Sequence, residues 1–128
     1  MADYKKKLND LLITTARQNA SDLHLAVGRK PTLRIDGILI PLQQEVILTP
    51  EVAEGLVMEL LTKEQQDELH KRKEIDFSYS YEDKARFRCN AFFQRGYLAA
   101  ALRLIPSKIR TIEELGMPPI LHDFARLS

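Results

Sequence analysis

Leu8, Leu11, Leu12, Thr15 and Ala16 recur at i, i+3, i+4, i+7 and i+8, which predicts an amphipathic helix over residues 4–18. Asn19-Ala20-Ser21 ends it, and the period then drops to two. Leu23, Leu25 and Val27 alternate with Asp22, His24 and Ala26, as a half-buried strand requires. A turn over residues 28–31 leads to Leu33-Arg34-Ile35 and Ile38-Leu39-Ile40, which flank Asp36-Gly37, a dipeptide that takes the positive φ angles of a tight hairpin. Thr49 caps a further helix with Pro50 in its first turn and Val52, Leu56, Val57, Leu60 and Leu61 as its buried stripe. Thr62 and Gln65 have capping-box spacing and open a second, mostly polar helix through Arg72. Ile75, Phe77, Tyr79 and Tyr81 then alternate with Asp76, Ser78, Ser80 and Glu82, and residues 85–94 and 97–105 supply two more strands. Helix, strand, hairpin, two helices and three strands joined by short turns predict an α+β domain with a largely antiparallel sheet and helices packed on it. The domain is expected to occupy residues 1–110. Beyond it, Thr111 and Glu114 repeat the capping-box spacing, Gly116 stops that turn, and an incomplete helix over 120–126 implies that the natural chain continues.

Side-chain alternation also fixes register, because a slip of one residue turns a whole strand over. With Arg95-Gly96 as a two-residue loop, Gln94 pairs with Tyr97, Asn90 with Ala101, Arg88 with Arg103 and Arg86 with Ile105. Phe87, Cys89, Ala91 and Phe93 then share the other, apolar face with Leu104, Leu102, Ala100 and Leu98. A three-residue loop at 82–84 sets Tyr79 opposite Phe87 and Ser78 opposite Arg88, so both hairpins agree on one polar face. Arg88 across from Arg103 is a like-charge pair that costs stability unless something negative lies near. Asp76, diagonal to Arg88 in this register, is one such group; a bound phosphate, which guanidinium forks grip in bidentate fashion, is the other. Arg86 and Arg95 would extend an anion site.

Charge distribution sharpens this. The formal net charge is +1, yet residues 45–83 hold eleven acids against four bases, and residues 84–110 hold seven bases with no acid. An apolar content of 45% and a charged content of 29% are those of an ordinary globular chain. The single cysteine, Cys89, cannot form an internal disulfide, and the N-terminus has no secretory-signal order, so a cytoplasmic location is expected. The apolar run at 97–102 is interrupted by Arg103, far short of the ~20 residues needed to span a bilayer. None of the five glycines opens a GxxxxGK[ST] loop, so this chain cannot cradle a triphosphate alone and is not expected to be an enzyme by itself. His24, His70 and His122 are scattered without metal spacing; His24 reads as a hydrogen-bonded structural residue and Cys89 as a small core residue.

In order and spacing, Ser21-Asp22-Leu23-His24-Leu25, Leu33-Arg34-Ile35-Asp36-Gly37, Ala85-Arg86-Phe87-Arg88-Cys89-Asn90-Ala91-Phe92, Arg103-Leu104-Ile105-Pro106-Ser107 and Leu115-Gly116 closely resemble the N-terminal domain of twitching-motility type IV pilus-retraction ATPases (PilT-like), within the secretion ATPase superfamily. Pilus-assembly and type II secretion relatives share the first two pieces but carry a longer segment where this chain has the compact stretch 90–96. The resemblance implies a PAS-like domain over 1–110, with 111–128 forming a linker and the start of a RecA-like ATPase domain that holds the Walker motifs. It further implies a hexamer in which ATP, with Mg2+, lies between the two domains. This domain would then meet the ATPase domains of its own and neighbouring subunits, and the assembly would work against the pilus machinery at the cytoplasmic face of the inner membrane. Carried over by position, Arg86, Arg88 and Arg103 approach the phosphates. Arg95 is carried over with them, although the turn here is one residue shorter than in typical members. Ile112, Glu113 and Leu115 match the linker that passes the adenine.

Two other readings use the same residues. Phe92 and Tyr97 share the polar face with Arg86 and Arg88, as in sheets that stack nucleic-acid bases, although the nearly balanced charge speaks against that partner. A free-standing PAS-like sensor or adaptor would have the same fold with no attached motor. Neither nucleic-acid binding nor membrane insertion is expected.

Overall fold

The computed structural model describes residues 3–82 and 84–106. Their elements are α1 (Tyr4–Arg17), β1 (Asp22–Leu25), β2 (Thr32–Ile35), β3 (Ile38–Pro41), α2 (Pro50–Leu60), α3 (Lys63–Arg72), β4 (Glu74–Tyr81), β5 (Ala85–Gln94) and β6 (Tyr97–Ile105). This is the α+β domain that the hydrophobic pattern predicts. The expected linker, with Ile112, Glu113 and Leu115, and the expected helix at 120–126 lie outside the described residues.

Local chemistry sets the ends of the helices. The Asp3 carboxylate accepts from the Lys6 amide at 3.1 Å to start α1, and Thr49 Oγ1 accepts from the Val52 amide at 3.3 Å to start α2. The Thr62–Gln65 capping box of α3 is complete: Thr62 N donates to Gln65 Oε1 at 2.9 Å, and Gln65 N donates to Thr62 Oγ1 at 3.2 Å. One strand is shorter than its alternation implies. The pattern carries β1 to Val27, but the sheet ladder stops at Leu25. Gly28, at φ +88°, donates its amide to the Leu48 carbonyl at 2.9 Å, so the chain leaves the sheet to pair with the approach to α2. Alternation cannot register that change of partner.

The sheet has six strands in the order β3-β2-β1-β6-β5-β4, and every neighbouring pair is antiparallel. The registers inferred from face matching are the ones formed, from Gln94 opposite Tyr97 to Arg86 opposite Ile105, and with Tyr79 opposite Phe87. Both two-residue turns have positive φ at both central positions: Asp36 at 51° with Gly37 at 80°, and Arg95 at 54° with Gly96 at 84°. Those angles define the turn whose twist matches the flanking strands.

One face of this sheet is the core floor. Leu23, Leu25, Leu33, Phe87, Ala91 and Leu102 are all buried there under Leu8, Leu11 and Leu12 of α1 and Leu56 and Val57 of α2. α1 crosses α2 closely at Gly55, where an added Cβ would stand 2.5 Å from the Tyr4 ring. α3 packs against β4 and sends Leu69 inward, its other positions remaining polar. Among the described residues, no helix is long and apolar enough to cross a membrane.

Two consequences can be measured. Phe87, the third residue of β5, is 0% exposed, so Phe87→Ala is expected to cost about 3–5 kcal/mol, read in urea as a lower midpoint with an unchanged slope. Burial pushes the Cys89 thiol up to about 12 from its ordinary 9.0. Iodoacetamide at pH 8 is therefore expected to alkylate the native chain at least about a hundredfold more slowly than the unfolded chain. Because the folded value is the higher one, the stability tied to this thiol is intact below pH 9 and is lost as pH rises towards 12.

Candidate anion-binding site

The opposite face of the sheet is covered by none of the described helices. Directly paired residues on antiparallel strands project to the same side, with Cβ atoms about 4.5–5.5 Å apart. The ladder therefore builds one row across five strands: Arg34 on β2, Asp22 on β1, Arg103 on β6, Arg88 on β5 and Ser78 on β4. Arg88 and Arg103 stand opposite one another, as the register predicts. Counting Arg34, Asp22, Arg103 and Arg88, the row carries three positive charges and one negative.

The group that offsets the arginine pair is Asp22, and sequence reasoning missed it. Asp22 is 7% exposed, and its Oδ2 accepts from Arg103 Nε at 3.4 Å while its Oδ1 accepts from Ser21 Oγ at 2.6 Å. Asp76 lies diagonal to Arg88 in the cleft, as the register predicts, but it accepts from Asn90 Nδ2 at 2.7 Å and forms no ion pair with Arg88. No local pattern would have identified Asp22. The two partners lie 81 residues apart and meet only because β1 pairs with β6. The Asp22 contact engages Arg103 through Nε and leaves the Arg103 side chain 73% exposed. Arg34 is occupied elsewhere, its Nη1 donating to the Gly37 carbonyl at 3.1 Å. Arg88 is exposed and makes no ion pair or side-chain hydrogen bond among the described residues.

Arg88 and Arg103 share a shallow cleft of about 720 Å³ with Asp22, Asp76, Ser78 and Asn90. Arg86 is exposed two positions along β5, about 7 Å from Arg88 at the strand rise, and lies on the same face opposite Ile105 and Ser80. Arg95 is not part of this group. It occupies the β5–β6 turn, six ladder positions beyond the Arg88–Arg103 pair and so about 20 Å away. Ile112, Glu113 and Leu115 fall outside the described residues.

Two adjacent guanidinium groups, one held side-on by a buried carboxylate and one unpaired, suit reversible capture of a phosphate-type anion. Covalent chemistry has no equivalent support at this site. Cys89, the nearest candidate nucleophile, lies on the other face with its thiol protonated. Among the described residues, no group of three or more His, Cys, Asp or Glu side chains is placed to hold a metal ion.

No protein-family model matches the chain. Individual proteins do. The chain is 37% identical to the type IV pilus retraction ATPase PilT of Pseudomonas aeruginosa over 121 residues, covering 94% of this chain and 34% of that protein. It is 31% identical to the type IV pilus ATPase PilU of the same organism, covering 90% of this chain and 30% of that protein. Its fold superposes on the crystal structure of the pilus retraction motor PilT with bound ADP at a TM-score of 0.74 and 31% identity, covering 88% of this chain and 33% of that one. The Legionella pneumophila ATPase DotB, at 20% identity and a TM-score of 0.67, shares the fold. The chain thus spans about a third of the length of the curated relatives it matches. With that identity and that fold extending over nearly its whole length, the chain is similar to the N-terminal domain of PilT-like pilus ATPases.

Proposed function

We propose that this domain is a non-catalytic part of a hexameric ATPase that retracts type IV pili. Arg88 and Arg103, with Arg86 beside them, would read the phosphate end of ATP held by a separate ATPase domain. The observation that carries the proposal is the outward-facing Arg88–Arg103 pair on a sheet face that no described helix covers. Its support from relatives is that PilT is described as a retraction motor and has been crystallised with ADP.

The division of labour follows from the residues present. The arginines offer charge and bidentate donors to a phosphate, whereas Mg2+ and the P-loop belong to the ATPase domain. In the free domain, only Arg103 of the Arg88–Arg103 pair is held in an ion pair among the described residues, by Asp22. A phosphate held across the cleft adds the missing negative charge, and its loss restores the imbalance. A contact that differs between two states is what a switch requires. The domain would then rotate about the linker at 111–128 as nucleotide changes on its own or a neighbouring subunit. The motor so formed would be cytoplasmic and act on the pilus machinery at the inner membrane, with neither nucleic acid nor membrane insertion involved.

The two arginines differ in what they support structurally, and this separates a sensing role from a structural one. In this chain, Arg88→Ala is expected to leave stability within about 0.5 kcal/mol or raise it slightly, because a repulsion is relieved. Arg103→Ala removes the partner of buried Asp22 and is expected to cost about 1 kcal/mol, with solvent screening keeping the loss small. In the full-length protein, Arg88→Ala is expected to lower ATP turnover at least about tenfold, against the ~10³-fold typical of arginines that touch the transferring group itself. Undiminished turnover in Arg88→Ala would remove the phosphate-sensing role.

A further inference from the structure

The open face has a second hollow at its other end, apart from the arginine row. Its volume is about 490 Å³, within the ~300–1,000 Å³ usual for small-molecule sites. Two segments distant in sequence converge on it: β1 and the loop that follows, with His24, Arg29 and Lys30, and the β5–β6 hairpin, with Phe92, Arg95 and Tyr97. Every charged side chain lining it is cationic, and no carboxylate does so. This is the opposite of the arginine cleft, where Asp22 and Asp76 stand among the lining residues.

Three features of the lining are costly or idle in the free protein. Tyr97 is 49% exposed, a large aromatic ring with its face available. Arg29 and Arg95 form no ion pair among the described residues, and Lys30 Nζ donates only to the Gln43 carbonyl, at 3.3 Å. His24 Nε2 is sealed from solvent and has no hydrogen-bond partner among the described residues, which is a desolvated polar atom left unpaired. A ligand that stacked an apolar ring on Phe92 or Tyr97 and carried an anionic group towards Arg29, Lys30 and Arg95 would use the exposed ring and the unpaired cations together. Neither half alone would suffice. An inorganic anion meets exposed, screened cations that gain little, and an uncharged ring leaves the cations unused.

We propose that this hollow is a binding site for a small aromatic anion, distinct from the arginine row and independent of the phosphate-sensing proposal. The two hollows share no lining residue, and the Arg88–Arg103 pair is about 20 Å from the Arg95 turn, so a ligand the size of phenyl phosphate held by Arg95 does not reach that pair. The two sites are therefore separable by mutation.

Phenyl phosphate is a suitable probe, with inorganic phosphate and benzyl alcohol as its two halves. Titrating each into the 15N-labelled chain, phenyl phosphate is expected to shift the amides of His24, Phe92 and Ala99 saturably, with a dissociation constant at or below about 1 mM, and each half is expected to bind at least about tenfold more weakly. Arg95→Glu is expected to weaken phenyl phosphate at least about tenfold, and Arg29→Glu likewise, while Arg88→Ala leaves it unchanged. Arg95 is exposed at the turn tip with φ 54°, a conformation the substitution need not alter, and an unchanged amide spectrum elsewhere checks that the fold is kept. Failure to saturate, equal affinity for inorganic phosphate, or shifts confined to Arg86, Arg88 and Arg103 would each overturn the proposal.

Discussion

The antiparallel pairing of β1 with β6 is the constraint on which the rest of the structure depends. It joins the N-terminal hairpin of β2 and β3 to the C-terminal meander of β4, β5 and β6, elements that otherwise would be two separate small sheets. The joint is continuous: Asp22 to Leu25 face Arg103 to Ala100, and the Leu104 amide donates to the Ser21 carbonyl at 2.9 Å. On one side it sets Leu23 and Leu25 beside Leu102 and Ala100, and this is the floor on which α1 and α2 rest. On the other side it sets Asp22 beside Arg103. A single run of backbone hydrogen bonds therefore closes the core and assembles the charged row at once.

The two faces solve different problems. The apolar face gains by excluding water, so its residues are chosen for volume and its helices are held tightly, down to the bare Gly55 under the Tyr4 ring. The open face keeps unpaired cations in water, where their repulsion is screened and costs little. Asp22 is the exception on that face: a nearly buried carboxylate whose two oxygens both find donors, one of them Arg103. It lowers the cost of placing Arg103 opposite Arg88 without covering either guanidinium. An open face maintained in this way is suited to ligands and partners, and the fold supplies it with two chemically unlike hollows.

Position along the strands, more than residue type, decides what each arginine can do. Arg86 and Arg88 alternate outward on β5 and Arg103 outward on β6, so all three share one end of the face. Arg95 has the same side chain but sits at the turn, where its backbone adopts the left-handed conformation that a two-residue hairpin demands. Grouping the four by charge alone, as the basic block invites, merges two regions that the ladder separates.

The sequence by itself determined the elements and the local registers. Period 3.6 marked α1 and α2, the Thr62–Gln65 pair marked α3, the Asp36-Gly37 turn marked the β2–β3 hairpin, and alternation with a three-residue loop at 82–84 and the Arg95-Gly96 turn fixed which residues face each other in both hairpins of the meander. These follow from interactions within a few residues, or across one short turn, where side-chain period and turn chemistry leave a single solution. Only the tertiary structure decided that β1 stops at Leu25, that β1 lies against β6, and therefore that Asp22 is the carboxylate beside Arg103 while Asp76 is taken by Asn90. The physical reason is that non-local pairing is selected by the burial of whole faces against one another, a sum over the sheet and both helices that no short window of residues contains.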